Sequence, residues 1–295
     1  MSNRSSKLGK IYIVIIFLLL YMPILYLIIY SFSKGTTMTN FRGFSLTHYG
    51  ELFHDKRMLA IFLDTILIAL LSSVFSTIIG TLGALGISNA KRERSRQTLL
   101  SLNNILLVSP DVIMGASFLI FFTSLKVPLG FWSVLLSHIA FEIPIVVLMV
   151  LPRLDEMSPS LINAATDLGA TSGQVLSRVV LPFIQPGIIA GFFMAITYSL
   201  DDFAVTFFVT GNGFTTLSVE IYSRARQGIS LEINALAGIM FVFSLIWLLS
   251  IISSKTTIWF HAERRINWGW LTNEKVYNRY CSSIGDLCRL GTWQP

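Results

Sequence analysis

Five carboxylates, Asp64, Asp111, Glu142, Asp201 and Asp202, fall inside stretches that are otherwise apolar, and no Lys or Arg shares those stretches. A charged side chain at the centre of a bilayer costs about 2.5–3.5 kcal/mol on insertion scales, so an acid placed there is expected to have a function. Without an internal cation these groups must be protonated or must meet a cation from elsewhere. Around the last pair, Tyr198 precedes Asp202 by four residues and Met194 lies one turn further back, so the three share a helical face. An aromatic ring and a carboxylate together hold an ammonium through charge and cation–π attraction. Asp201 points about 100° away from Asp202, because a helix has about 3.6 residues per turn. Asp202 is therefore expected to be the better placed for a cation, and Asp201 to bind a neighbouring chain or a freed backbone group. Asp64, beside Thr65, and Asp111, beside Pro110, fit the capping of broken helices as well as a pathway role. Glu142, two residues before Pro144, either satisfies backbone freed by the proline or faces another chain. His138 reads as a hydrogen-bonded packing residue.

The elements that carry these residues are membrane helices. Hydrophobic residues make up 53% of the chain and charged ones 13%, with a mean hydropathy of +0.68, far from a soluble domain. Apolar runs long enough to cross a bilayer occur near 11–33, 59–88, 99–122, 131–151, 186–210 and 233–254. In lipid a single segment satisfies its own backbone hydrogen bonds only as a helix. The expected architecture is an all-α integral membrane protein with six transmembrane helices over 11–258, between a short N-terminus (1–10) and a C-terminal tail (259–295). Arg4, Lys7 and Lys10 precede a first run that is too long for a signal peptide, contains Pro23 and lacks a small-x-small cleavage site, so it reads as an uncleaved anchor. With both termini in the cytoplasm, 15 of the 22 Lys and Arg fall on the cytoplasmic side, led by Lys91, Arg92, Arg94 and Arg96.

The net charge of +6 follows from these lipid-facing cations, and no basic–aromatic strip for nucleic acid accompanies it. Cys281 and Cys288 lie in the tail on the cytoplasmic side, where a disulfide is not expected, and with the distant His261 they make no zinc site. The tail from about Ile266 is polar and non-periodic and is expected to be a poorly ordered extension. No phosphate-binding loop, nucleophile–base pair or metal-ligand cluster is present, and His48, His54, His138 and His261 share no ligand spacing. The chain does not read as an enzyme, and no bound cofactor is expected.

The loop 153–184 between the fourth and fifth runs has its own start and stop signals. Ser158-Pro159 offers an N-cap and a proline at N1. Leu161, Ala165 and Leu168 then share a face, and Gly169 is the candidate C′ residue. Thr171 and Gln174 form a capping box for a second short helix, which is expected to stop before Pro182. On the second run, Gly80, Gly83 and Gly86 are expected to permit close helix packing.

The segment Asn163-Ala164-Ala165, Gly169 and Val179-Val180-Leu181-Pro182 resembles the cytoplasmic EAA loop of ABC importer permeases, with Asn163 in place of the family's Glu and Val179 in place of its Ile. Further segments resemble the spermidine/putrescine permeases of that group. They are Tyr21-Met22-Pro23, Ser109-Pro110-Asp111, Leu129-Gly130-Phe131-Trp132, Ser137-His138-Ile139, Ser199-Leu200-Asp201-Asp202-Phe203, Val209-Thr210-Gly211, Ile221-Tyr222-Ser223 and Glu232-Ile233-Asn234-Ala235-Leu236-Ala237. The resemblance covers about 11–258 and implies the type I ABC importer permease (MetI-like) fold in a bacterial plasma membrane. It implies a second permease subunit, two ATPase subunits that carry ATP and Mg, an extracellular polyamine-binding protein, and a polyamine as substrate. It places Tyr21, Tyr198, Ser199, Asp201 and Asp202 on the substrate pathway. It places Asn163, Ala164, Ala165, Gly169, Leu181 and Pro182 at the contact with the ATPase. Among other readings, an anion permease should present Lys or Arg at mid-membrane, a proton-driven carrier should show inverted repeats, and a receptor or anchor needs no such loop.

Overall fold

The computed structural model describes residues 7–35, 38, 40–227, 231–246 and 249, and every regular element among them is helical apart from one isolated bridge between Ser33 and Phe44. The first helix, α1 (Lys7–Ser31), is apolar all round and almost uncovered by the rest of the chain until its last residue, Ser31, which is buried. Its end is tied down locally: Ser31 hydrogen-bonds the Tyr49 hydroxyl at 2.8 Å, and Phe32 stacks between Phe44 and Tyr49. The short α2 (Thr47–His54) leads into α3 (Lys56–Ser88), whose N-cap Asp55 accepts the backbone N–H groups of Arg57 and Met58.

The run expected as one span at 99–122 is instead two helices, α4 (Glu93–Val108) and α5 (Asp111–Ser124), bent by 103°. Pro110 is the reason: its ring keeps Ser109 out of the helical region, at ψ 135, and it supplies no donor to close the turn. The next helix, α6 (Phe131–Asp155), is the most enclosed of the apolar helices. It is followed by α7 (Pro159–Asp167) and α8 (Ser172–Val175).

A second expectation fails at Pro182. The chain does not break there; α8 runs through a π-turn (Leu176–Val180) into α9 (Leu181–Asp201), giving an unbroken helical span over Ser172–Asp201. In the widened turn the Leu181 N–H reaches back five residues to the Leu176 carbonyl. The missing proline donor then falls at the edge of a turn already out of α register, where it breaks no further bond. This span ends at Asp201, well short of the expected 210, and α10 (Ala204–Val209) starts after a break at Asp202. Last come α11 (Leu217–Gln227) and α12 (Leu231–Ile246). Among the described residues four helices are long and apolar enough to cross a membrane, five if the bent α4–α5 pair is one span. The sixth expected span, 233–254, begins in α12 and runs beyond the described residues, and the N-terminal Arg4, His261, Cys281, Cys288 and the tail from Ile266 lie outside them.

The core is the packing of α3, α6 and α9, with α5 and α10 closing one end. Gly80 lets α3 and α6 touch: a Cβ there would stand 2.7 Å from that of the fully buried Val146. Gly187 and Gly191 do the same for α9 against Met149 and Val146, whereas Gly83 has ordinary room and Gly86 faces open space. Of the three glycines expected to matter on α3, one carries the close contact. Gly115 on α5 sits against the Ala204 carbonyl and Val205 of α10, so the two broken regions pack on one another.

Candidate functional site

Two helix breaks meet at the site, one at Ser109-Pro110 and one at Asp202. Asp111 opens α5 at the first, and Asp201 closes α9 at the second; both side chains are exposed. Tyr198, one turn before the end of α9, lies half-buried between them with its ring against Phe141, edge to face at 5.3 Å. Asp111, Asp202 and Asp201 are all near enough to the Tyr198 hydroxyl to act on it electrostatically. Neither Asp111 nor Asp201 has an ion-pair partner among the described residues. Carboxylates without an ion-pair partner beside an aromatic face have the chemistry to attract a cation such as an ammonium group.

Asp202 itself is taken up in capping, with its side chain only 8% exposed. Its backbone is extended (ψ 120), so the helical-face argument that paired it with Tyr198 stops one residue short of it. Its carboxylate caps α10: one oxygen accepts the Val205 N–H at 3.2 Å, the other the Thr206 N–H at 2.8 Å and the Thr206 hydroxyl at 2.7 Å. Its carbonyl accepts the Ser218 hydroxyl at 2.6 Å, which ties the break to the start of α11. Asp201, expected to bind a neighbouring chain or a freed backbone group, is exposed.

Behind Asp202 lies a buried polar network that the sequence did not reveal. His138 of α6 reaches Ser199 through Nδ1 (2.7 Å) and Thr206 through Nε2 (2.9 Å), with Asp202 at 3.6 Å. Glu142, one turn along α6, accepts the hydroxyls of Ser72 (2.7 Å) and Ser76 (2.8 Å) from α3. His138 and Glu142 are both fully buried. Glu142 thus neither serves proline-freed backbone nor faces another chain; it holds α3 to α6. Ser199 belongs to this network and is 5% exposed, so its hydroxyl serves helix packing rather than the opening. The one clue in the sequence was a spacing of three or four residues, Ser72 to Ser76 and His138 to Glu142, which puts each pair on one helical face. Tyr21 lies exposed on α1, stacked on Phe17, and makes no contact with the Tyr198 group among the described residues.

The second site is the loop after α6. Ser158 accepts the Ser160 N–H and Pro159 opens α7, as expected. Gly169 has φ +81; its N–H bonds the Thr166 carbonyl, and the Ala170 N–H bonds that of Ala165, so α7 ends in a Schellman motif. A Cβ on Gly169 would meet nothing within 4 Å, so the glycine answers to backbone conformation and not to crowding within the chain. The capping box closes, with the Thr171 N–H on the Gln174 side chain at 2.9 Å. Asn163 and Ala164 are exposed, Ala165 is half-buried, and Leu168 is 89% exposed. Leu181 packs against the core, while Pro182 is exposed. The helix pair therefore stands out from the bundle with an uncovered apolar face.

At the opposite end of α3, Arg224 of α11 bonds Glu220 (2.9 Å), Glu232 (3.2 Å) and Asp55 (3.5 Å), and Arg57 adds a further contact to Glu220 at 3.2 Å. Burial works against the Arg224 charge, but Glu220, then Glu232 and Asp55, outweigh it and hold the guanidinium pKa above its ordinary value.

A membrane-embedded bundle with a polar opening at two broken helices and a protruding helix pair defines the subunit of a solute transporter. The chain belongs to the family of binding-protein-dependent transport system inner membrane components, which its residues 76–258 match. It is 36% identical to the spermidine/putrescine transport system permease protein PotC of Escherichia coli (strain K12) over 235 residues, 80% of this chain and 89% of that one. To the putrescine transport system permease protein PotI of the same strain it is 37% identical over 231 residues, 76% and 82% of the two chains. Among solved structures it is similar to a bacterial ABC transporter involved in the import of the acidic polysaccharide alginate (TM-score 0.65, 20% identity, 88% of this chain and 95% of that one). It is also similar to the inward-facing MetNI methionine ABC transporter (TM-score 0.56, 18% identity, 68% and 97%). These likenesses establish the MetI-like ABC importer permease fold. The family consists of transport permeases that work with a substrate-binding protein and a separate ATPase, and they are not enzymes.

Proposed function

We propose that this chain is one of two permease subunits of an ATP-driven polyamine importer in a bacterial plasma membrane, with both termini cytoplasmic. The observation that carries the reading is the convergence of Asp111, Asp201 and Tyr198 at the meeting of two broken helices, with no ion-pair partner for either acid among the described residues. Ammonium groups spaced by methylenes suit carboxylates set among apolar and aromatic walls. In this reading Asp201 and Tyr198 meet the substrate, Asp202 and Ser199 shape the site from behind, and Tyr21 joins the pathway from α1. The relatives named for spermidine and putrescine support the substrate class.

The exposed faces of α7 and α8, with Asn163, Ala164, Ala165 and Gly169, dock on one of two ATPase subunits, and Leu181 and Pro182 pass its motion into α9. A second permease completes the pathway, and an extracellular polyamine-binding protein delivers the substrate. ATP and Mg stay on the ATPase.

The test is labelled spermidine uptake by the assembled transporter carrying Asp201→Asn or Asp202→Asn. Asp201→Asn keeps size and hydrogen bonding but removes charge. The lost attraction should exceed the roughly 1 kcal/mol of an exposed pair, a loss of more than about fivefold in uptake, with assembly unchanged. Asp202→Asn should lower the amount of assembled transporter as well, because it removes the cap of α10. Wild-type uptake by Asp201→Asn would end the cation-site reading.

A further inference from the structure

We infer that His138 is a positioning residue that sets the helix break at Asp202 and through it the placement of the Asp201 carboxylate; the inference rests on the cation-site reading above. A count of protons leads to it. The Thr206 hydroxyl has one proton and gives it to Asp202 at 2.7 Å, so toward His138 it can only accept. His138 Nε2 must therefore carry a hydrogen and donate it to Thr206. A neutral ring that carries its hydrogen on Nε2 has none on Nδ1, so there it accepts from the Ser199 hydroxyl at 2.7 Å. The result is a directed chain, Ser199 to His138 to Thr206 to Asp202, in which each donor is used once and each bond polarises the next.

The chain ends on the residue beside Asp201. The other anchors of the break at Asp202 are the two backbone donors of α10, the Ser218 hydroxyl on its carbonyl and its own N–H on the Tyr198 carbonyl. Without the ring, the Thr206 hydroxyl is free to turn back onto a carbonyl of its own turn, as threonines in helices do, and Asp202 loses its strongest side-chain partner. The turn would then settle elsewhere, and Asp201 would leave the spacing it holds to Asp111 and Tyr198. Placement errors of about 1 Å are enough to spoil a site of this kind. Glu142 holds α6 against α3 through Ser72 and Ser76, so the ring is presented from a fixed support.

The experiment uses the complete transporter in proteoliposomes with saturating spermidine-loaded binding protein, and reads spermidine moved per ATP hydrolysed alongside the ATPase rate. His138→Phe keeps the ring volume and loses both nitrogens; His138→Gln can still donate an N–H toward Thr206. His138→Phe should lower the transport-to-ATP ratio about tenfold while the ATPase rate stays within about twofold, and His138→Gln should restore most of the ratio. In an Asp201→Asn background, His138→Phe should add nothing further, because the two act at one place. A parallel fall in ATPase rate and assembly for both substitutions would reduce His138 to a packing residue, and independent losses in the double variant would sever it from Asp201. If Asp201→Asn transports normally, the cation-site reading beneath falls; if Asp201→Asn is impaired and His138→Phe is normal, this inference alone falls.

Discussion

Glu142 shows how burial changes the meaning of a residue. On an insertion scale it is an expensive acid in a membrane span, and so a candidate for the pathway. In the folded chain its oxygens accept two serine hydroxyls and it sees no solvent. Removing it leaves Ser72 with only longer contacts to the Ala69 carbonyl and Ser199, and Ser76 with only the Ser73 carbonyl, at a cost of about 1–3 kcal/mol. Glu142→Leu should therefore lower the thermal stability of the purified protein, whereas Glu142→Gln, which still offers an acceptor, should lose much less. Equal losses would mean that the charge, and not the hydrogen bonding, matters. Gly80 belongs at the same scale. A side chain there meets Val146, which is fully buried and has no room to retreat, so Gly80→Val should cost about 1–3 kcal/mol by overpacking, whereas Gly86→Val should be close to neutral. Denaturation midpoints of the two variants separate a close helix contact from a general dislike of β-branching.

At the scale of elements, three proline- or aspartate-marked irregularities decide what the bundle can do. Pro110 bends α4 from α5, Asp202 separates α9 from α10, and the π-turn before Pro182 joins the protruding helix pair to α9 without a hinge. A one-residue insertion of this type offsets everything before it by about 100° relative to an unbroken α-helix. Pro182→Ala removes the reason for the widened turn. We expect it to leave insertion and α9 intact while weakening co-purification of the ATPase, because α7 and α8 would present a different face. Unchanged ATPase binding and uptake would show that the π-turn has no part in coupling. Gly169 makes a matching case in the same loop: Gly169→Ala has space but not the backbone, and a left-handed residue with a Cβ costs about 1–2 kcal/mol. Gly169→Asn should be milder than Gly169→Ala in the same co-purification assay, since Asn tolerates that conformation.

For the molecule as a whole, the ion network of Arg224 with Glu220, Glu232 and Asp55 joins the beginnings of α3 and α12 to α11, across more than 160 residues of chain in the case of Arg57 and Glu220. Glu220 is nearly buried, so Arg224→Met leaves its charge with the largely exposed Arg57 alone. That should destabilise by about 1–3 kcal/mol, read as a lower melting temperature, with Arg57→Met costing less because its side chain is largely exposed. The features legible in the sequence are those set by local chemistry. Hydropathy marked the membrane helices because lipid tolerates little else, and the Ser158, Gly169 and Thr171 signals located both ends of α7 and the start of α8 because caps answer to neighbouring backbone groups alone. The loop spacing and the segments around Asp201 likewise carried the family. What needed the tertiary structure was every decision between equivalent side chains. Asp201 and Asp202 are chemically the same and adjacent, and which one faces the opening depends on where α9 ends and on Thr206 and His138 arriving from elsewhere. Pro110 and Pro182 are the same residue in apolar runs, yet one bends a span by 103° and the other is absorbed in a wide turn. Partners brought from distant positions have no periodicity to announce them, so the polar network behind the site could be found only once α3, α6, α9 and α10 were packed together.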